Sequence, residues 1–148
     1  MKHVWSVRVR AESRQASRIH ARNHTFRVGP PLSFEPSDEL PSALEHLLGA
    51  LAADLLGTLY TYARRRRLPI DSAELVLNAS LENPLVHLGV IGEEGSPGLE
   101  RVEGKLYAAL EAEPAAAQAL WDEVLQRAPV YNTLKRAADI DIRFSVAL

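Results

Sequence analysis

Apolar and polar positions alternate near both ends of the chain. Over residues 4–11, Trp5, Val7 and Val9 fall on one face and Ser6, Arg8 and Arg10 on the other. That is the period of a half-buried strand. Glu12 to Ser17 is polar and predicts a turn. Ile19 to Val28 predicts a second strand, with Phe26 and Val28 alternating against Arg27, and Gly29-Pro30-Pro31 closes it. Residues 32–40 hold Ser33, Pro36, Ser37 and Asp38 and predict a loop.

The period then changes. Ser42 with Glu45 three residues on forms a capping box, with Pro41 just outside. The segment LLGALAADLLGTLYTYARRRR follows and stops before Pro69. It is apolar around most of its circumference, so this long helix is expected to be enclosed by other elements. Arg64 to Arg67 fall at its end, where positive charge complements the helix dipole.

Residues 72–81 alternate again, with Ala73, Leu75, Leu77 and Ala79 set against Glu74, Val76 and Asn78. Residues 85–91 either extend that strand or form a short irregular segment, and residues 93–98 form a loop. Residues 99–110 predict a strand. Pro114 opens a second helix at a position that tolerates proline, with Leu120, Trp121, Val124, Leu125 and Ala128 on one face. Pro129 breaks it, and residues 130–137 predict a short third helix. In the last strand Ile140, Ile142, Phe144, Val146 and Leu148 alternate with Asp141, Arg143, Ser145 and Ala147. The order β-β-α-β-β-α-α-β argues for an α+β fold with a largely antiparallel sheet. No repeat or linker interrupts it, so residues 1–148 read as a single domain.

Composition narrows the function. The chain has 148 residues, 47% hydrophobic and 24% charged, with a net charge of -2. That length supports a real core. No basic excess points to nucleic acid or to an anionic membrane surface. From Leu47 to Tyr62 the only charge is Asp54, but the run falls short of the ~20 residues that a membrane span needs. The N-terminal segment has no continuous apolar stretch of the secretory type, so the expected location is the cytoplasm. Cysteine is absent altogether, which excludes disulfides, thiolate metal sites and thiol nucleophiles. His20, His24, His46 and His87 show no ligand spacing, so neither metal nor cofactor is expected. Gly89, Gly92 and Gly95 lie beside two glutamates that would repel phosphate, and predict a flexible loop. Trp5 and Trp121 are expected as core or interface anchors.

Two segments carry a family resemblance. PSALEHLLGALAADLLGTLYTYARRRRLPIDSAELVL, residues 41–77, resembles the central-helix signature of the OsmC-like family, which includes the osmotically inducible and organic-hydroperoxide-resistance proteins. In that signature an apolar Leu/Ala run ends in Ala-Ala-Cys. RAPVYNTLKRA, residues 127–137, resembles the family's Cys-Pro-Val segment with its following Thr-Leu pair. The resemblance implies antiparallel sheets wrapped around a long central helix and an intertwined homodimer. It also implies a pocket at the subunit interface that takes a small hydrophobic ligand.

In the active members, a peroxidatic thiolate becomes a sulfenic acid that a second thiol resolves as a disulfide. Those two positions fall here at Asp54 and Ala128, neither of which can do this chemistry. The helix-start glutamate of the hydroperoxidases falls at Leu44, with Glu45 one residue later, and the family's arginine corresponds to Arg22 or Arg18. Arg22, Glu45, Asp54 and Pro129 are thus the candidate pocket residues, and no residue is assigned a catalytic role.

With cysteine absent, the resemblance implies a member of the peroxide and stress-response family without thiol peroxidase activity, either a binder of a small apolar ligand or otherwise degenerate. In it Asp54 is expected to form a structural ion pair with the family's arginine. The alternative is a cysteine-independent hydrolase or thioesterase-like enzyme with Asp54 or Glu45 as base. A hotdog-fold thioesterase also wraps a sheet around one long helix, but it lacks a second good helix such as that expected over 114–128.

Overall fold

The computed structural model describes residues 2–147. The elements run β1 (Arg8–Ser13), β2 (Ala16–Ala21), β3 (His24–Val28), α1 (Ala43–Arg65), β4 (Ile70–Leu81), α2 (Pro84–His87), β5 (Leu99–Leu110), α3 (Pro114–Arg127), α4 (Pro129–Leu134) and β6 (Asp139–Ala147). The chain packs as two compact units, one up to Gly49 and one from Ala50 on, with the boundary inside α1.

The first unit holds an antiparallel sheet ordered β1-β2-β3. The single strand expected over 19–28 is two strands. Arg22 at φ 56° makes the turn between them, and His24 pairs back onto Ala21. The turn expected over 12–17 shrinks accordingly, with β2 already under way at Ala16. Residues 4–7 lie before β1, and every residue of β1 is exposed. The alternation at Val7 and Val9 is therefore real but not half-buried within this chain, and Trp5 is 82% exposed. Gly29 follows β3, where its N–H donates to the Pro41 carbonyl at 2.8 Å. A Cβ there would lie 2.6 Å from the Leu40 carbonyl oxygen, so only glycine fits this close approach.

Helix α1 starts as its sequence dictates. The Ser42 N–H donates to Glu45 Oε1 at 2.9 Å, and the Glu45 N–H donates to Ser42 Oγ at 3.2 Å. The far end closes with the Leu68 N–H on the Ala63 carbonyl at 2.9 Å. Arg67, at φ 59°, takes the left-handed position that usually falls to glycine. Leu51, Leu55, Leu59 and Ala63 recur at four-residue spacing and are buried. Gly49, Ala50, Ala53 and Gly57 lie exposed on the opposite face, so the expected enclosure is one-sided within a single chain.

The second unit is built on a sheet ordered β4-β5-β6. β4 and β5 form a long antiparallel hairpin, and the alternation read from residues 73–79 is the observed one. Residues 84–87 form the short helix α2. The Asn83 side chain caps it by accepting from the Leu85 N–H at 3.1 Å. β6 pairs with β5 in parallel, so this sheet is mixed, not antiparallel throughout. Parallel neighbours need a long crossover, and α3 and α4 supply it. Val102, Leu106, Ala108 and Leu110 of β5 are buried, as are Leu120, Trp121 and Val124 of α3. The Trp121 ring stacks on Phe144 of β6 at 5.0 Å. On the exposed face Arg101 pairs with Asp139 and Asp141, clasping β5 to β6. Leu148, expected to end the last strand, lies outside the described residues.

Candidate functional site

Asp54 lies on a half-buried face of α1. Its Oδ2 accepts a hydrogen bond from the Tyr131 backbone N–H at 2.9 Å, and the Val130 N–H also faces the carboxylate. These are among the first N–H groups of α4. Helix N-termini leave such groups without an intrahelical acceptor. The residue that should cap them, Ala128, has no polar side chain. Asp54 therefore caps α4 from 77 residues away in sequence. Burial raises its pKa above the ordinary value of 3.8, and the two amide donors oppose the rise. Among the described residues no arginine or lysine forms a salt bridge with Asp54. The expected ion pair is thus replaced by a bond to backbone, because α4 presents donors where the sequence reading supplied a cation.

Ala128 is fully buried at the junction of α3 and α4. Its N–H closes α3 on the Val124 carbonyl at 3.0 Å, and its own carbonyl accepts from the Asn132 N–H at 3.0 Å. The Asn132 side chain donates to the carbonyls of Leu125 at 2.8 Å and Ala128 at 2.7 Å, tying the corner down. Pro129 begins α4, where its missing N–H costs nothing. Asp54 and the Ala128-Pro129 corner are thus brought together, as the two matched segments imply.

The other candidates belong to the first unit. Glu45 is the capping-box residue. Its Oε1 accepts from the Ser42 N–H and, at 2.9 Å, from the Ser42 hydroxyl. Those bonds, the backbone one first, hold its pKa below the ordinary glutamate value. Arg22 lies exposed in the β2–β3 turn, and Arg18 pairs with Glu12 at 3.4 Å. The His46 ring stacks on Phe26 with centroids 5.9 Å apart.

One feature has no counterpart among these candidates. At the C-terminal end of α1 lies a groove of about 590 Å³, lined by Tyr60, Thr61, Ala63, Arg64, Arg67, Leu68, Pro69 and Ile70. The only hint of it in the sequence is a run of four arginines directly after an apolar helix. No group of three or more His, Asp or Glu side chains suited to a metal ion occurs among the described residues. No helix among them is long and apolar enough to cross a membrane.

The family model described as OsmC-like protein matches residues 36–143, well over half the chain. The chain belongs to the OsmC-like protein family. Solved structures agree in fold. An OsmC-like protein from Mycoplasma pneumoniae superposes with a TM-score of 0.83 at 16% identity, over 100% of both chains. An OsmC-like protein of unknown function from Vibrio cholerae gives 0.77 at 10% identity, over 97% of this chain and 99% of that one. An organic hydroperoxide resistance protein from Elizabethkingia anophelis gives 0.71 at 16% identity, over 99% and 100%. At these identities the likeness is one of fold. No curated protein matches the sequence. The cysteine-less character of this OsmC-like chain is a fact of its sequence, and the second helix expected over 114–128 is present as α3.

Proposed function

We propose that this OsmC-like protein keeps the family scaffold without thiol peroxidase chemistry, and serves as a homodimeric binding protein for a small apolar molecule. The observation that carries the reading is Asp54. With no thiol in the chain, the helix position matched to the peroxidatic cysteine holds a carboxylate engaged by the backbone of α4. A carboxylate cannot pass through a sulfenic acid. Binding is supported by the groove at the end of α1, whose volume of about 590 Å³ falls within the usual range of ligand sites. A hydrolytic role for Asp54 or Glu45 draws no support from their geometry, since one caps α4 and the other caps α1.

Dimerisation is supported by surface that one chain leaves uncovered. A Cβ added at Gly49 or Gly57 would meet nothing within 4 Å. Each glycine weakens the helix by roughly 1 kcal/mol relative to alanine, with no packing reason inside the chain. Close approach by a second copy supplies that reason. Exposed Val4, Trp5, Val7 and Val9 add apolar surface in the same sense.

The test is consumption of an organic hydroperoxide in excess dithiol, with the native protein beside an Asp54→Cys/Ala128→Cys variant. The native chain is expected to show no dithiol-dependent turnover, and the variant to acquire some. Saturable turnover by the native chain would overturn the reading.

A further inference from the structure

The hairpin of β4 and β5 ends in an apolar tip. Between the two strands the chain forms α2 and a loop, where Leu85, Leu88, Val90 and Ile91 are exposed, Ile91 completely. Large apolar side chains clustered on a surface mark a contact site. The tip is held in shape. The Asn83 side chain donates to Glu93 Oε2 and to the Glu94 carbonyl, each at 3.0 Å, and Gly89 and Gly92 take left-handed φ values of 71° and 89°. Glu82, Glu93 and Glu94 rim the tip, and residues 82–98 contain no lysine or arginine. None of the three carboxylates forms a salt bridge among the described residues.

The groove at the end of α1 is the complement of that tip. Tyr60, Leu68, Pro69 and Ile70 give it apolar walls. Arg66 beside it pairs with Glu123 at 3.0 Å, but Arg64 and Arg67, which line it, have no acidic partner among the described residues. Tyr60 and Arg64 follow Ala53 and Gly57 on one arc of the helix, the face assigned above to a second copy. Within one chain the tip cannot reach this groove. Ile70 of the groove begins β4 and Leu81 ends it, and those 12 residues span roughly 40 Å.

We infer that in the homodimer the tip of each copy seats on the groove of the other, with Leu88, Val90 and Ile91 against its apolar walls and the carboxylates of the tip facing Arg64 and Arg67. A two-fold axis makes this contact twice, since each copy offers both a tip and a groove. Apolar surface is removed from water on both sides, and the opposed charges fix the register. The inference rests on the homodimeric binding role proposed above and supplies its missing part: the partner's tip is the outer wall of the groove, and the site is complete only with both copies.

The test uses the absence of native cysteine, which makes any introduced thiol the only one present. Full-length Ile91→Cys and Leu68→Cys chains are oxidised separately and after mixing with subunit exchange, and covalent dimer is read on a non-reducing gel. The mixture is expected to form a cross-link that neither chain forms alone, because a disulfide needs its two Cβ atoms close together. Charge gives an independent measurement. Glu94→Arg and Arg64→Glu should each weaken the dimer by roughly tenfold or more in sedimentation equilibrium, and the two together should restore much of the loss. A native dimer whose mixture gives no cross-link, and whose association ignores both charge reversals, would overturn this docking and leave the tip to a different partner with the homodimer intact. A native chain that sediments as a monomer would overturn the homodimer as well.

Discussion

Asp54 sets two demands against each other. Burial favours its neutral form, and the amides of α4 favour its charged one, with burial the larger effect. An acid whose pKa is raised on folding holds its proton more tightly in the folded chain. Its contribution is therefore most favourable below the ordinary value of 3.8 and declines as pH rises through the raised value. Asp54→Asn abolishes that dependence yet keeps an oxygen for the Tyr131 N–H. The stability of the native chain relative to Asp54→Asn, from urea midpoints, should thus fall as pH is raised from below the aspartate range to neutrality. A difference that does not move with pH would count against the burial of this carboxylate. Asp54→Ala, by contrast, leaves the helix uncapped and should cost about 1 kcal/mol at neutral pH. The sequence placed Asp54 on the right helix and beside the right segment. Its partner was not legible, because a backbone N–H leaves no mark in a pattern of side chains.

Helix α1 shows how far local rules reach. Ser42 and Glu45 announce its start, and the bonds between them are the expected ones. Ser42 is almost fully buried, so Ser42→Ala removes the acceptor for the Glu45 N–H with no water to replace it. The thermal midpoint should drop by the equivalent of about 1 kcal/mol, whereas Ser37→Ala, in the exposed loop before the helix, should leave it unchanged. Where local rules failed, the reason is specific. Ala21-Arg22-Asn23-His24 contains neither glycine nor proline, so the β2–β3 turn reads as continuous strand. Arg22 nonetheless takes a left-handed φ. Likewise the alternation in β6 gives its faces but not its direction. Parallel pairing with β5 follows from the crossover through α3 and α4, a property of topology and not of any one segment.

At the scale of the whole molecule, what matters is the surface that one chain fails to bury. The apolar faces of α1, β5 and α3 close over a core in the second unit, with Leu51, Leu55, Leu59, Leu106 and Leu120 fully inside. β1 and the glycine-bearing face of α1 remain open. Gly57→Ala distinguishes the two fates open to that face. In an isolated chain the added methyl meets nothing within 4 Å and should stabilise the helix by roughly 1 kcal/mol. In a dimer packed closely on this face it should obstruct contact, and sedimentation equilibrium should show a shift from dimer to monomer. Unchanged association with a higher thermal midpoint would mean that the face is solvated. The apolar circumference of α1 was plain in the sequence, but which arc the chain itself covers depends on residues far away.

The tie between Asp54 and α4 also bears on how this protein could change over generations. A single replacement of Asp54 by cysteine exchanges a strong hydrogen-bond acceptor for a weak one at the end of a helix that has no other side-chain cap. It gains no internal disulfide in return, because Ala128 offers no second thiol to condense with a sulfenic acid. Replacing Ala128 first puts a larger side chain into a fully buried corner and again leaves a lone thiol. Each single replacement thus leaves the thiol pair incomplete and is expected to weaken the fold. The carboxylate at this position acts as a latch, since the stability of the fold itself stands against acquiring thiol chemistry one residue at a time.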